Sequence, residues 1–174
     1  MKITKVAFGN STEAFIESRL VDGVNIIFSN DNNKGKTILI QGMMYALGND
    51  PIFPSGFDYK LCYFYVSMEH NGTNYEFLRK NHSIIVRFNG NIHLLDTLSE
   101  LKYFVDRNIF SIPKIIKEDQ LKTVDLSLLY QLFFVGQDKR NPGNLFNAGY
   151  YNKNDFINMI FSMADCLVLP EDTT

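Results

Sequence analysis

The chain has 174 residues, 45% of them hydrophobic, with 17 Lys and Arg against 19 Asp and Glu and a net charge of −2. That length suffices for one domain with its own core, and the slightly acidic balance argues against a dedicated, strongly basic nucleic-acid-binding domain. Two cysteines without paired spacing, Cys62 and Cys166, rule out a disulfide framework and fit a reducing compartment, and no apolar run reaches membrane length. With no secretory leader evident, the sequons at Asn10, Asn71 and Asn81 read as chance, and we expect a soluble, cytoplasmic protein.

Met1 to Phe8 alternates with Ile3, Val6 and Phe8 apolar, and Ala14 to Leu20 alternates again, so two strands flank a Gly9-Asn10-Ser11 turn. Val24-Asn25-Ile26-Ile27-Phe28 is short, apolar and partly β-branched, which predicts a buried strand. From Thr37 to Leu47, residues Ile38, Leu39, Met43, Ala46 and Leu47 form a helical face, ended by Gly48-Asn49-Asp50-Pro51. Leu61 to Asp96 reads as a meander of short strands, with turns at Asn71-Gly72, Asn81-His82 and Asn89-Gly90. Three helices follow. Thr97-Leu98-Ser99-Glu100 is a capping box for the first, with Leu98, Leu101, Val105 and Ile109 inward; Asp125 caps the second, Leu126 to Val135. The third runs from about Asn154 to Leu167, and its Phe156, Ile160, Met163 and Leu167 are spaced like the first turns of a coiled coil, although Pro170 argues against smooth continuation. His70, His82 and His93 lie on or beside the hairpin turns and are expected to be solvated.

Between the third apolar segment and the first helix stands Asn30-Asp31-Asn32-Asn33-Lys34-Gly35-Lys36-Thr37. Three of the four fixed positions of G-x-x-x-x-G-K-(S/T) are present, with Asn30 in the place of the first glycine. Such a loop curls backbone N–H groups around phosphates, and the helix N-terminus adds partial positive charge behind them. Gly35 lets the backbone approach a phosphate, Lys36 reaches the β- and γ-phosphates, and the Thr37 hydroxyl ligates Mg²⁺. Asn30 and Asn33 are residues that tolerate positive φ. A polar turn that merely spells Gly-Lys-Thr is the competing reading, and the elements expected on both flanks argue against it.

With these residues in place the chain resembles the amino-terminal lobe of an SMC-like ATPase head, the ABC-type class that includes the RecF, RecN and double-strand-break-repair ATPases. "MKITKVAFGN" is similar to the family's opening strand. "VNIIFSNDNNKGKT" stands where the family has a strand and G-x-N-x-x-G-K-(S/T), with Asn32 matching the loop asparagine. "ILIQGMMYALG" resembles the helix that follows, and "LLYQLFFVGQDKRNPG" looks like the Q-loop region, with Gln137 as its glutamine.

The resemblance implies an α/β fold, a P-loop ABC-type half-head with an antiparallel β-meander inserted at about residues 60–96. Residues 1–174 would then form one nucleotide-binding lobe whose last helix, about 154–167, starts a coiled-coil arm. The site set is Asn30, Asn32, Asn33, Lys34, Gly35, Lys36, Thr37, Ile38 and Gln137 around ATP, with Thr37 and Gln137 on Mg²⁺. Ser11, Thr12 and Glu13, in the first turn, would lie near the base or ribose.

Hydrolysis in this class needs an apolar strand ending Asp-Glu, a Ser-Gly signature and a histidine near the γ-phosphate. Ile115 to Asp119 is too polar and reads as a loop; Leu167 to Asp172 contains Pro170 and reads as a tail. No catalytic residue is therefore assigned. The expected partners are a carboxy-terminal ATPase lobe of the same or a longer polypeptide, a second head in a homodimer, and DNA or an effector subunit through the assembled complex, in DNA maintenance or anti-phage defence. The rival class is a nucleotide-independent interaction module, a pseudo-ATPase, which would have no reason to keep Lys36-Thr37. A small P-loop kinase needs an arginine-rich lid, and Arg19, Arg79, Arg87, Arg107 and Arg140 are scattered. Arg79, Lys80 and Arg87 on the meander offer weak, salt-sensitive phosphate contacts at most.

Overall fold

Alternating apolar residues build strands only where each strand finds a ladder partner, and among the described residues eight do so, six of them in one sheet. The computed structural model describes residues 1–30, 35–51, 53–134 and 152–166. The chain divides into two compact units, Met1–Leu101 and Lys102–Thr174. In the first, β1 (Lys2–Gly9), β2 (Ala14–Glu17), β3 (Tyr63–His70), β4 (Thr73–Lys80), β5 (Ser83–Phe88) and β6 (Asn91–Leu95) form one sheet in the order β2-β1-β3-β4-β5-β6. Every neighbouring pair is antiparallel. With four α-helices among the described residues, the fold is mixed α/β.

The hairpins close where backbone demands are met locally. Asn71 and Gly72, like Asn89 and Gly90, all have positive φ, between 49° and 77°, as a two-residue type I′ turn requires. Between β1 and β2 the Asn10 side chain accepts from the backbone N–H groups of Thr12 and Glu13, which turns the chain within four residues.

Register puts one face of the sheet inward. Two ladder rows, Phe8–Phe64–Arg79–Ile84 and Val6–Val66–Phe77–Val86, run across β1, β3, β4 and β5. Helix α1 (Lys36–Ala46) packs on this face over β1, β3 and β4. The closest approach is at Gly42, where a Cβ would stand 2.5 Å from Cδ1 of the fully buried Phe64. Around Phe64 the rings of Phe8, Tyr45, Phe53 and Phe57 pack with centroids 5.1–6.5 Å away.

Among the described residues, Arg79 is the one charged side chain that is buried. Nη1 donates to the carbonyls of Tyr45 and Asn49 at 2.7 and 3.1 Å, Nε donates to Asn81, and the guanidinium lies over the Tyr45 ring at 3.7 Å. It caps the C-terminal end of α1, where carbonyls lack helical partners and a cation is favoured. Burial pushes its pKa down from the usual arginine range. Arg79 is thus unavailable for the phosphate contact expected of it, because its donors serve α1. Arg87 is paired with Glu76, and Lys80 lies 4.2 Å above the Tyr63 ring.

The expected strand at Val24–Phe28 is absent. These residues take no regular structure, and Val24, Ile26 and Phe28 are 87%, 84% and 79% exposed. An apolar, β-branched run stays a strand only against a neighbour, and no strand pairs with this one among the described residues. The second expected strand likewise stops at Glu17, whose carboxylate is taken by Arg19.

Helix α2 (Leu98–Asn108) begins at the predicted capping box: Thr97 Oγ1 accepts from the Glu100 N–H, while the Glu100 carboxylate reaches back to the N–H of Asp96 rather than to that of Thr97. Within the second unit, the segment read as a loop at Ile115–Asp119 is instead β7 (Lys114–Lys117) turning into β8 (Gln120–Thr123). Glu118 and Asp119 make that turn with φ of 54° and 57°, an uncommon pair for the left-handed region. Helix α3 (Leu126–Tyr130) is shorter than expected; Asp125 is its N-cap by position, but its carboxylate is taken by Lys102 at 2.8 Å. Helix α4 (Lys153–Met163) is capped by Asn152 and tied to β7 by Lys117–Asp155. Its buried residues are Phe156 and Met159, while Ile160 and Met163 are exposed, so the packed face is turned from the expected 156/160/163/167 stripe, whose Leu167 lies outside the described residues. Among the described residues no helix is long and apolar enough to cross a membrane.

Candidate functional site

The candidate site forms at the N-terminal end of α1, and Gly35 sets its geometry. It is the N-cap, with φ 77° and ψ 9°, a left-handed conformation that a residue with a Cβ adopts at a cost. Its carbonyl accepts from the Leu39 N–H at 2.9 Å as the first helical bond. The N–H groups of the first turn that follows have no partner four residues earlier in a helix. Gly35 has no side chain to cap this end and no acidic residue stands in its first turn, so the helix dipole there favours an anion.

Lys36 is the first residue of α1, and its Nζ donates to Ser29 Oγ at 2.7 Å. That bond ties the ammonium back to Ser29, near the end of the segment that precedes the loop. Thr37 and Ile38 follow in the first turn, both half-buried, and Asn30 is exposed at the end of the preceding segment. Asn32, Asn33, Lys34 and Gln137 lie outside the described residues.

A cavity of about 550 Å³ opens here, lined by Ser29, Gly35, Lys36 and Leu39 on the helix side. The opposite wall comes from β1 and β2: Phe8 and Phe15, their rings 5.7 Å apart, and Glu17 with Arg19. The volume is in the range of small-molecule and cofactor sites. Phe15 and Glu17 reach it because antiparallel pairing sets them opposite Phe8 and Val6 on the inward face. Ser11, Thr12 and Glu13, expected near a nucleotide, do not line the cavity. The residues that do were missed because the turn drew attention, whereas period-two alternation along β2 carried the signal.

The electrostatics are mixed. Arg19 donates to the Glu17 carboxylate through Nε and Nη2, at 2.9 and 2.6 Å, and through its backbone N–H at 2.8 Å. These bonds hold the Glu17 carboxyl down to about 2, so it is ionised at neutral pH and compensated by its neighbour. A group binding here would meet one compensated carboxylate, one ammonium and a helix N-terminus.

A second cavity, of about 390 Å³, lies on the other side of residues 20–27 and is lined by Ile3, Val6, Leu20, Ile27, Ile40 and Met43 among others. The approach to the loop therefore has open space on two sides. It is held by the Asn25 side chain, which bonds Val21 and Gly23, and by the Lys2–Asp22 pair.

The donor set fits a nucleotide's phosphates in part: a left-handed glycine, a lysine and a hydroxyl in the first turn, and a helix N-terminus. Among the described residues no group of three or more His, Cys, Asp or Glu is placed to hold a metal ion. Mg²⁺ at Thr37 would draw its remaining ligands from phosphate oxygens, water and Gln137, which lies outside the described residues. No protein-family model matches the chain, and no curated protein matches it significantly.

Proposed function

We propose that this chain is the amino-terminal, nucleotide-binding lobe of an SMC-like ATPase, which holds ATP and Mg²⁺ and completes hydrolysis only with a carboxy-terminal lobe. The observation that carries the reading is the juxtaposition of left-handed Gly35, Lys36 and the N-terminal end of α1 in one cavity. In that arrangement the first-turn N–H groups and Lys36 take the β- and γ-phosphates, Thr37 supplies one oxygen to Mg²⁺, and Phe8 and Phe15 form an apolar wall for the base. Asn30, Asn32, Asn33, Lys34 and Ile38 complete the loop around the phosphates, and Gln137 is the second protein ligand to Mg²⁺.

The exposed run Val24–Phe28 supports the need for a second half. An apolar segment entering a phosphate loop is normally a central strand, and here its missing neighbour would be the strand that brings the Asp-Glu pair. Two complete heads would then clamp two nucleotides, and closure would act on DNA or on an effector in DNA maintenance or anti-phage defence, in the cytoplasm.

A second reading is favoured by Asn30 in the place of glycine and by the tether of Lys36 to Ser29: a pseudo-ATPase that scaffolds a partner without nucleotide. Phosphate release by the purified chain separates an incomplete ATPase from a complete one. We expect no release above the Lys36→Ala background at saturating ATP and Mg²⁺. Release that Lys36→Ala abolishes would mean that this chain holds its own catalytic half.

A further inference from the structure

Among the described residues the six-stranded sheet ends at β6, and that strand lacks the charges, proline and bulge that keep sheet edges from pairing. Its residues Asn91-Ile92-His93-Leu94-Leu95 include no charge and no proline, and its ladder with β5 runs without a bulge. The opposite edge, β2, is bracketed by Glu13, Glu17 and Arg19.

Hairpin geometry fixes which groups β6 presents. A two-residue type I′ turn at Asn89-Gly90 makes Phe88 and Asn91 a hydrogen-bonded pair, so Asn91, His93 and Leu95 direct their N–H and C=O toward β5. Ile92 and Leu94 therefore direct theirs to the free edge. The same two residues carry the exposed apolar side chains of the strand, at 65% and 74% exposure. Backbone donors, backbone acceptors and apolar side chains thus coincide at two positions.

We propose that β6 pairs antiparallel with β6 of a second copy of this chain, on a two-fold axis at His93. This register sets Ile92 opposite Leu94 of the other copy, twice. Each is a hydrogen-bonded pair, so four backbone bonds form and both exposed apolar residues meet an apolar partner. A one-residue shift of the axis, to Ile92 or Leu94, brings like residues together but places a turn residue or Asp96 in the ladder. Centred on His93, Asp96 falls opposite Gly90, and no like charges meet. An isologous contact of this kind is closed and forms a dimer rather than a fibre. With five residues a side it belongs to the small, weak class of interfaces. It uses neither the phosphate loop nor the cavity, so it is independent of the proposed function.

Sedimentation equilibrium of the full chain without nucleotide tests the pairing, across concentrations up to about 1 mM. We expect a monomer–dimer equilibrium that Ile92→Lys combined with Leu94→Lys shifts to monomer, with the melting temperature of the exposed-face variant unchanged. ATP and Mg²⁺ should leave the equilibrium as it is. The register is read separately with His93→Cys in a Cys166→Ser background: paired on the axis, the two Cα atoms lie about 4.5 Å apart, within disulfide range, and mild oxidation should give a covalent dimer. A chain that stays monomeric throughout, or a dimer that persists in the double lysine variant, overturns the proposal. A dimer without the His93→Cys cross-link overturns its register.

Discussion

At the scale of single residues, two positions show how tightly α1 is set on its sheet. Gly42 is there for space, since a methyl group would enter the ring of Phe64, which neighbouring rings hold on its other sides. Gly42→Ala is predicted to destabilise the chain by about 1–3 kcal/mol despite alanine's higher helix propensity, read as a lower midpoint in urea unfolding. An unchanged or raised midpoint would mean that Phe64 can move. Gly35 is there for conformation: among the described residues nothing lies within 4 Å of its would-be Cβ, yet its φ is 77°. The sequence distinguishes neither case by itself. Gly-Lys-Thr marks Gly35 through a known motif, whereas Gly42 lies inside a helical run, where a glycine signals only a lowered propensity. Arg79 was misread for a related reason. Alternation along β4 places it on the inward face, but its charge argued for solvent, and the carbonyls at the end of α1 that receive it lie 30 and 34 residues away.

At the scale of elements, the turns were legible and the partners were not. Asn71-Gly72 and Asn89-Gly90 announce their hairpins because type I′ geometry needs positive φ at both positions, a strictly local demand. Glu118-Asp119 uses the same left-handed geometry with residues that rarely adopt it, so β7 and β8 were hidden. Helix α4 carries two overlapping apolar stripes, and contact with β7 selects Phe156 and Met159 over Ile160 and Met163. Val24–Phe28 is the strongest case, since its composition says strand and only a ladder partner can make it one. Because Val24, Ile26 and Phe28 bury little in this chain, replacing all three with serine is predicted to change its own stability by less than about 0.5 kcal/mol per site, measured by thermal unfolding. The same variant should fail to assemble with a partner lobe. A large loss of stability in the isolated chain would show that the segment already packs.

At the scale of the whole molecule, a mixed α/β chain gathers a glycine, a lysine and a helix N-terminus around a cavity on the inward side of an antiparallel sheet. We propose that this cavity takes a nucleotide by its phosphates. Calorimetric titration of the full chain with ATP in the presence of Mg²⁺, beside Lys36→Ala, tests it most directly. The account predicts saturable binding that the substitution weakens at least tenfold, about 1.4 kcal/mol or more, with the fold of the variant intact by circular dichroism. Equal binding by both proteins, or none by either at millimolar ATP, would contradict it.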